Sequence, residues 1–279
     1  PPFLPDTETV QRELLDYALE IEWFDQHLSR MLDHLASIGE LENTIVIVTS
    51  DNGMPFPYAK ANLTEYGIHV PLAIRAPEGS FPVGRESSAL VSHLDLAPTI
   101  LEWAGVPHLP EATGKSLIPL LNEGRPHRDA VFSGRERHTH ARADNLGYPS
   151  RSIRTDRFLL IWNLRPDRWP AGLPRPEGLT EAQYSGDFSG HGRSIGNGYR
   201  DIDSSNTKRL IFLSRDEFPS FFQLAFQKRP ELQLFDIRND PGCLHDLGQD
   251  PDYEETVEEL HARLKAHLIE ERDPRLVGD

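Results

Sequence analysis

Asp51 and Asn52, with Gly53 behind them, stand at the end of an unbroken apolar run, Ile45-Val46-Ile47-Val48. Side by side, an acid and an amide offer two hard oxygen donors, a charged carboxylate and a neutral carbonyl. Such donors suit Ca²⁺ or Mg²⁺ rather than Zn²⁺, which favours imidazole or thiolate. Taken alone the triplet is more simply a turn, since all three residue types favour turns. Its place at the carboxyl end of a strand, where ligands of open α/β sheets bind, keeps metal binding as the second reading.

Other groups able to do chemistry are scattered. Lys60 follows in the same loop, and Gly134 to His140 reads GRERHTH, gathering Arg135, Glu136, Arg137, His138 and His140. If that turn reaches a pocket, Arg135 could grip an anionic sugar and His138 could hydrogen-bond substrate or move a proton; a solvated charged turn is the plainer alternative. Between Arg125 and Arg175 there are eleven arginines and five acids, although the whole chain carries a net charge of −15. Arginine's planar fork suits sulfate, phosphate or carboxylate, and ion pairing with the acidic remainder is an equal alternative. His93 and Asp95 invite reading as a catalytic pair, but capping and packing explain them better. The single Cys243 excludes an internal disulfide and reads as a small buried residue. The acidic mean charge argues against nucleic acid as a partner, and no run approaches the length of a membrane span.

These residues need elements to hold them. Asp6 or Thr7 can cap a helix whose apolar residues recur at Leu14, Ala18, Ile21, Phe24, Leu28, Met31 and Leu35 before Gly39 ends it. The run at Ile45 lacks alternation, the pattern of a parallel strand covered on both faces, and Leu72 to Ile74 is a second strand. Asp95 can cap a short helix with Pro98 in its first turn. Beyond residue 125 the pattern turns to short strands, at Ala130 to Phe132, Ser152 to Arg154 and Phe158 to Trp162, with Thr155 and Asp156 as a hairpin turn. Residues 166–206, rich in Pro, Gly, Ser and Asp, form a long irregular excursion. Glu231 to Ile237 is a last strand, and Tyr253, Val257, Leu260, Leu264 and Leu268 mark a final helix.

The order Ser50 to Gly53, then Lys60, then Gly67 to Pro71 resembles the sulfatase family, in which a Ser-Asp-Asn-Gly turn is followed by a lysine and then by a Gly-Ile-x-Val-Pro strand entry. The Met54 to Pro57 insert points within that family to the sulfamidase branch, the heparan N-sulfatases and their bacterial relatives. Further likeness lies in Ser92 to Thr99, in Gly114 to Leu121, and in Phe235-Asp236 with Asp240-Pro241. The resemblance implies an α/β fold in two parts. Residues 1–124 would be the carboxyl-terminal part of a sulfatase-type sheet domain. Residues 125–279 would be a smaller α+β subdomain with an antiparallel sheet and terminal helix. It further implies a hydrolase of sulfate esters or sulfamates on sulfated sugars or glycosaminoglycans, in a periplasmic, extracellular or lysosomal setting. Asp51 and Asn52 would bind Ca²⁺, with Mg²⁺ as an alternative, and Lys60 would contact the sulfate and stabilise the leaving bridging atom.

The family's nucleophile is a formylglycine made in a Cys/Ser-x-Pro/Ala-x-Arg motif, which this sequence does not contain. The expectation is therefore that the chain is the carboxyl-terminal half of such an enzyme, inactive alone, with bare apolar surface and unpaired strand edges. Two alternatives stand beside it. One is a phosphodiesterase or phosphonate hydrolase of the same superfamily, whose second metal usually requires a His where Asn52 stands. The other is a non-catalytic module that binds sulfated glycans.

Overall fold

Thr7 opens the first helix, α1 (Glu8–Ser37), its side chain accepting from the Val10 amide, and Gly39 follows the helix at φ +77°. The computed structural model of the protein describes residues 1–174 and 198–278, so most of the 166–206 excursion lies outside the described residues. Strand β1 (Val46–Thr49) follows α1 and ends one residue before the Ser50–Gly53 turn.

Among the described residues β1 is not the parallel strand its apolar run suggests. Among the described residues it pairs only with β2 (Leu72–Arg75), antiparallel, Thr49 opposite Leu72 and Val46 opposite Arg75. A parallel partner needs a crossover helix, and between these strands the chain makes only the single turn α2 (Glu65–Ile68). The strand is also half-buried rather than covered on both faces.

Short helices α3 (Leu96–Trp103) and α4 (Ile118–Glu123) precede a four-stranded antiparallel sheet. Its strands are β3 (Ala130–Arg135), β4 (Ser150–Thr155), β5 (Phe158–Asn163) and β6 (Leu232–Asp236), in that spatial order. Helices α5 (Asn206–Leu213) and α6 (Pro219–Phe226) come between β5 and β6, and α7 (Glu254–Glu270) and α8 (Pro274–Val277) end the chain. Helix α5 begins where the expected 166–206 excursion ends; Ser205 caps it by accepting from the Lys208 amide, and Glu13 of α1 accepts from the Asn206 and Thr207 amides.

The sheet's alternation builds two cores. Ile153, Leu160 and Leu234 face α7 and pack on its Leu260, Leu264 and Leu268. Leu159, Ile161 and Phe235 face the other way, into a larger cluster with Phe3, Leu4, Val10, Phe56, Tyr58, Ile211 and Phe226. The loop that follows Asp51 is thus part of the core on the sheet's second face.

Candidate functional site

The turn bearing Asp51 and Asn52 is fixed by two close backbone approaches. A Cβ on Gly53 would lie 1.9 Å from the Tyr66 carbonyl oxygen, and one on Gly67 would lie 2.3 Å from that of Asn62. Only glycine fits at either place. The Gly53 amide donates to the Gly67 carbonyl at 3.1 Å, and Ser50 Oγ donates to the Asn52 carbonyl at 2.8 Å. At the end of β1, Thr49 Oγ1 donates to the Pro71 carbonyl at 2.8 Å and so accepts from His93 Nε2 at 3.0 Å. With its backbone fixed, Asp51 is exposed and Asn52 half-exposed. Neither side chain makes a hydrogen bond or ion pair among the described residues.

Met54–Asn62 runs from this turn with Tyr58 and Ala61 both at positive φ, +70° and +60°. Such conformations persist only where surroundings over-determine them, and here they do. Phe56 stacks edge-on to Tyr17 and Tyr58 lies beside Phe3, both rings buried. Tyr58 Oη donates to the Cys243 carbonyl at 2.7 Å, and Thr64 Oγ1 donates to the Tyr58 carbonyl at 2.6 Å. Arg229 lies over the Tyr58 ring and donates to Asn62 Oδ1 at 2.7 Å. Burial pushes the Cys243 thiol up to about 12, so it is an inert packing residue.

Lys60 projects from this anchored loop. Its Nζ meets Asp203 Oδ2 at 2.8 Å, and the two side chains stay 32% and 38% exposed. Glu65, a few residues on, is buried and accepts two bonds from Arg154, at 2.8 and 3.0 Å, with His69 Nδ1 at 2.9 Å. Burial alone would raise this carboxyl; the bonds from His69 and Arg154 and the Arg154 charge outweigh it and hold the pKa at about 2.

The GRERHTH residues point in opposite directions. Arg135 turns inward to Asp201 at 2.8 Å, and Arg142 reaches the same carboxylate at 2.7 Å, all three side chains buried. His138 Nδ1 lies 3.3 Å from the Asp201 carbonyl. Glu136 turns outward to Arg151 and Arg275. Arg135 therefore does not present a free guanidinium: it is held on Asp201, a carboxylate it shares with Arg142.

Most of the cationic stretch behaves likewise. Arg128 pairs with Asp95, Arg151 with Asp273, Arg154 with Glu65, Arg157 with Asp236 and Arg165 with Asp167. The arginine excess is chiefly an internal ion-pair framework. Asp95 does not cap α3 with its side chain. It is wholly buried and accepts from the Ser92 and Lys115 amides, His127 and Arg128.

The structure therefore places Asp51, Asn52 and Lys60 on one rigid loop. Arg135 and His138 gather on Asp201, and the chain from Asp201 to Asp203 links the two groups. Sequence reasoning missed Asp201 and Asp203, which lie inside the 166–206 stretch read as an irregular excursion; their alternate spacing in Asp201-Ile202-Asp203 was the available signal. Asp51 and Asn52 fit the chemistry of a hard cation: two uncommitted oxygens of different charge on a preset backbone. They are a partial set, because among the described residues no three His, Cys, Asp or Glu side chains converge as a metal site.

The family model described as Sulfatase matches residues 2–106, and that described as N-sulphoglucosamine sulphohydrolase, C-terminal, matches residues 56–170. Human N-sulphoglucosamine sulphohydrolase is 36% identical over 173 residues, 59% of this chain and 34% of the human protein. An ulvan-active sulfatase of Formosa agariphila is 25% identical over 279 residues, 96% of this chain and 40% of the relative. A solved structure from Bacteroides fragilis, described as that of a putative sulfatase, shares the fold at a TM-score of 0.63 and 18% identity, covering 99% of this chain and 47% of that one. The chain spans between about a third and a half of the length of these relatives.

Proposed function

We propose, from the premise that this chain belongs to the sulfatase family through residues 2–170, that its protein removes sulfate from sulfated sugars. The bond cleaved is a sulfamate or sulfate ester on a glycosaminoglycan-type amino sugar. The observation that carries the reading is the oxygen pair at the end of β1, uncommitted on a turn locked by Gly53 and Gly67. Asp51 and Asn52 would hold Ca²⁺, or Mg²⁺ in its place, and a cation bound there would supply positive charge for the sulfate oxygens. Asn52, rather than an imidazole, favours a single hard cation over a two-metal phosphodiesterase centre.

Lys60, on the same loop, would act with them. Its ammonium has three donors and directs one at Asp203, leaving others for a sulfate oxygen or for charge on the bridging atom as it departs. His138 would donate or accept at the sugar. Arg135 would reach an anionic substituent only by exchange at Asp201. No step through formylglycine is derived, because its motif is not among these residues. A periplasmic, extracellular or lysosomal setting belongs with this reading; among the described residues no helix is long and apolar enough to cross a membrane.

The test is turnover of N-sulfated and 6-O-sulfated glucosamine by the polypeptide as its gene encodes it. Lys60→Ala should lower kcat/KM about 100-fold, the scale for losing one charge-stabilising donor. Unchanged turnover in that variant would remove Lys60 from the chemistry. No turnover of either sugar by the parent would favour a binding module.

A further inference from the structure

Lys60 meets its partner on a short segment that the rest of the fold takes trouble to fix. Tyr199 is buried, at φ +53°, against Trp169, Phe212 and Phe226. Its amide donates to the Leu173 carbonyl at 2.7 Å, and the Asp201 amide donates to that of Ala171 at 3.0 Å. From inside, Lys208 closes the loop: its Nζ, 3% exposed as a residue, donates to the carbonyls of Tyr199 at 2.8 Å and Ile202 at 2.9 Å. Asp201 is clamped by Arg135, Arg142 and the amide and hydroxyl of Thr139. Asp203 therefore leaves a backbone that cannot easily move, and it reaches across to a loop fixed equally well by Phe56 and Tyr58.

This differs from an ordinary surface ion pair, in which two mobile side chains find each other. Here both backbones are anchored, only the two side chains face solvent, and the ammonium is the one the reading above assigns to sulfate. A carboxylate in that place does two things to an arriving anion. It holds the ammonium where the anion can find it, and it repels the anion and occupies one donor. The exposed pair is weak enough to open, since solvent-exposed ion pairs contribute little net stability.

We propose that Asp203 is a positioning residue that also gates Lys60, pairing with its ammonium until a sulfate group displaces it. The inference rests on the reading of Lys60 as the sulfate contact. Its consequence is that neutralising Asp203 tightens anion binding at Lys60, whereas a purely structural role would lower stability and leave that binding unchanged.

The full chain has five lysines, Lys60, Lys115, Lys208, Lys228 and Lys265, so ¹³C-methylated lysine NMR gives each its own signal. Inorganic sulfate is titrated at constant ionic strength. The Lys60 signal should shift to saturation, with an apparent Kd about two- to five-fold lower in Asp203→Asn, the range an exposed pair allows. Asp203→Glu should restore the parent value, and Lys115, Lys228 and Lys265 should respond alike in all proteins. Asp203→Ser is a second neutral variant that must agree with Asp203→Asn, and the Lys208 signal reports that the loop is intact. Equal sulfate affinity at Lys60 in parent and neutral variants, or weaker affinity in the variants, overturns the gate while leaving Lys60 as a sulfate contact. No response at Lys60 in any protein overturns the gate and the assignment of Lys60 together, and leaves the metal pair to its own test.

Discussion

Glu65 shows how a single residue gives the fold a pH dependence. Its carboxyl sits at about 2 in the folded chain against an ordinary 4.5, and it is 7% exposed. A depressed carboxylate contributes stability above its unfolded pKa and loses it as pH falls through the folded one. The contribution should therefore be complete above pH 4.5 and disappear toward pH 2, with a ceiling of about 3 kcal/mol. Thermal unfolding of Glu65→Gln should show a lower Tm than the parent at pH 7 and a smaller gap at pH 3; an equal gap at both would refute the assignment. His69, mostly exposed and raised by the Glu65 bond, acts with the opposite sign, its small contribution fading as pH rises. At this scale the site was partly legible. Asp51, Asn52 and Lys60 are neighbours in sequence, and their residue types state their chemistry. Arg135 was not legible, because its partner Asp201 lies 66 residues away within the stretch read as an irregular excursion and nothing local says which of many arginines faces a buried acid.

At the scale of elements, the loop after β1 should behave as part of the core. Gly53→Ala places a methyl 1.9 Å from the Tyr66 carbonyl oxygen, so it should destabilise by about 2 to 3 kcal/mol, as overpacking does. Gly39→Ala meets no atom within 4 Å and bears only the strain of φ +77°, so it should fall short of that. Chemical denaturation ranks the two, and equal losses would contradict the close-approach argument. Tyr58→Phe removes the bond to the Cys243 carbonyl and should lose about 1 to 2 kcal/mol, the range for a buried acceptor left unpaired. Strands β3 to β6 and helix α7 were readable because period-two and period-3.6 patterns survive wherever one face is buried. The apolar run of β1 misled, since a continuous run does not carry its partner's direction. That direction came from the hairpin-like closure at Gly53 and Gly67, a tertiary feature. Helices α5 and α6 escaped because their stretch of sequence follows a composition typical of loops.

The whole molecule carries an unusual amount of bare apolar surface. Helix α1 extends about 45 Å, yet its single fully buried residue is Val10, and Leu15, Leu19, Trp23, Phe24 and Met31 are each more than half exposed. Exposed clusters of this kind favour association. The chain as given should self-associate with rising concentration in sedimentation velocity, and Trp23→Ser with Phe24→Ser should reduce that without lowering Tm; monomeric behaviour of the parent at high concentration would contradict it. The charge distribution is a second whole-molecule property. Five acids faced eleven arginines in one stretch, and the fold recruits the balance from distant segments, Asp95, Glu65, Asp201, Asp236 and Asp273. Composition could not reveal that pairing, which depends on which strands become neighbours.

The central claim is that Asp51 and Asn52 bind a hard cation, and isothermal calorimetry of Ca²⁺ binding to the full chain tests it most directly. Saturable one-site binding that disappears in Asp51→Ala, with the variant's Tm unchanged in the absence of Ca²⁺, is the predicted result. Calcium binding that persists undiminished in Asp51→Ala, or none in the parent and none in the polypeptide as its gene encodes it, would make the turn no more than the end of a strand.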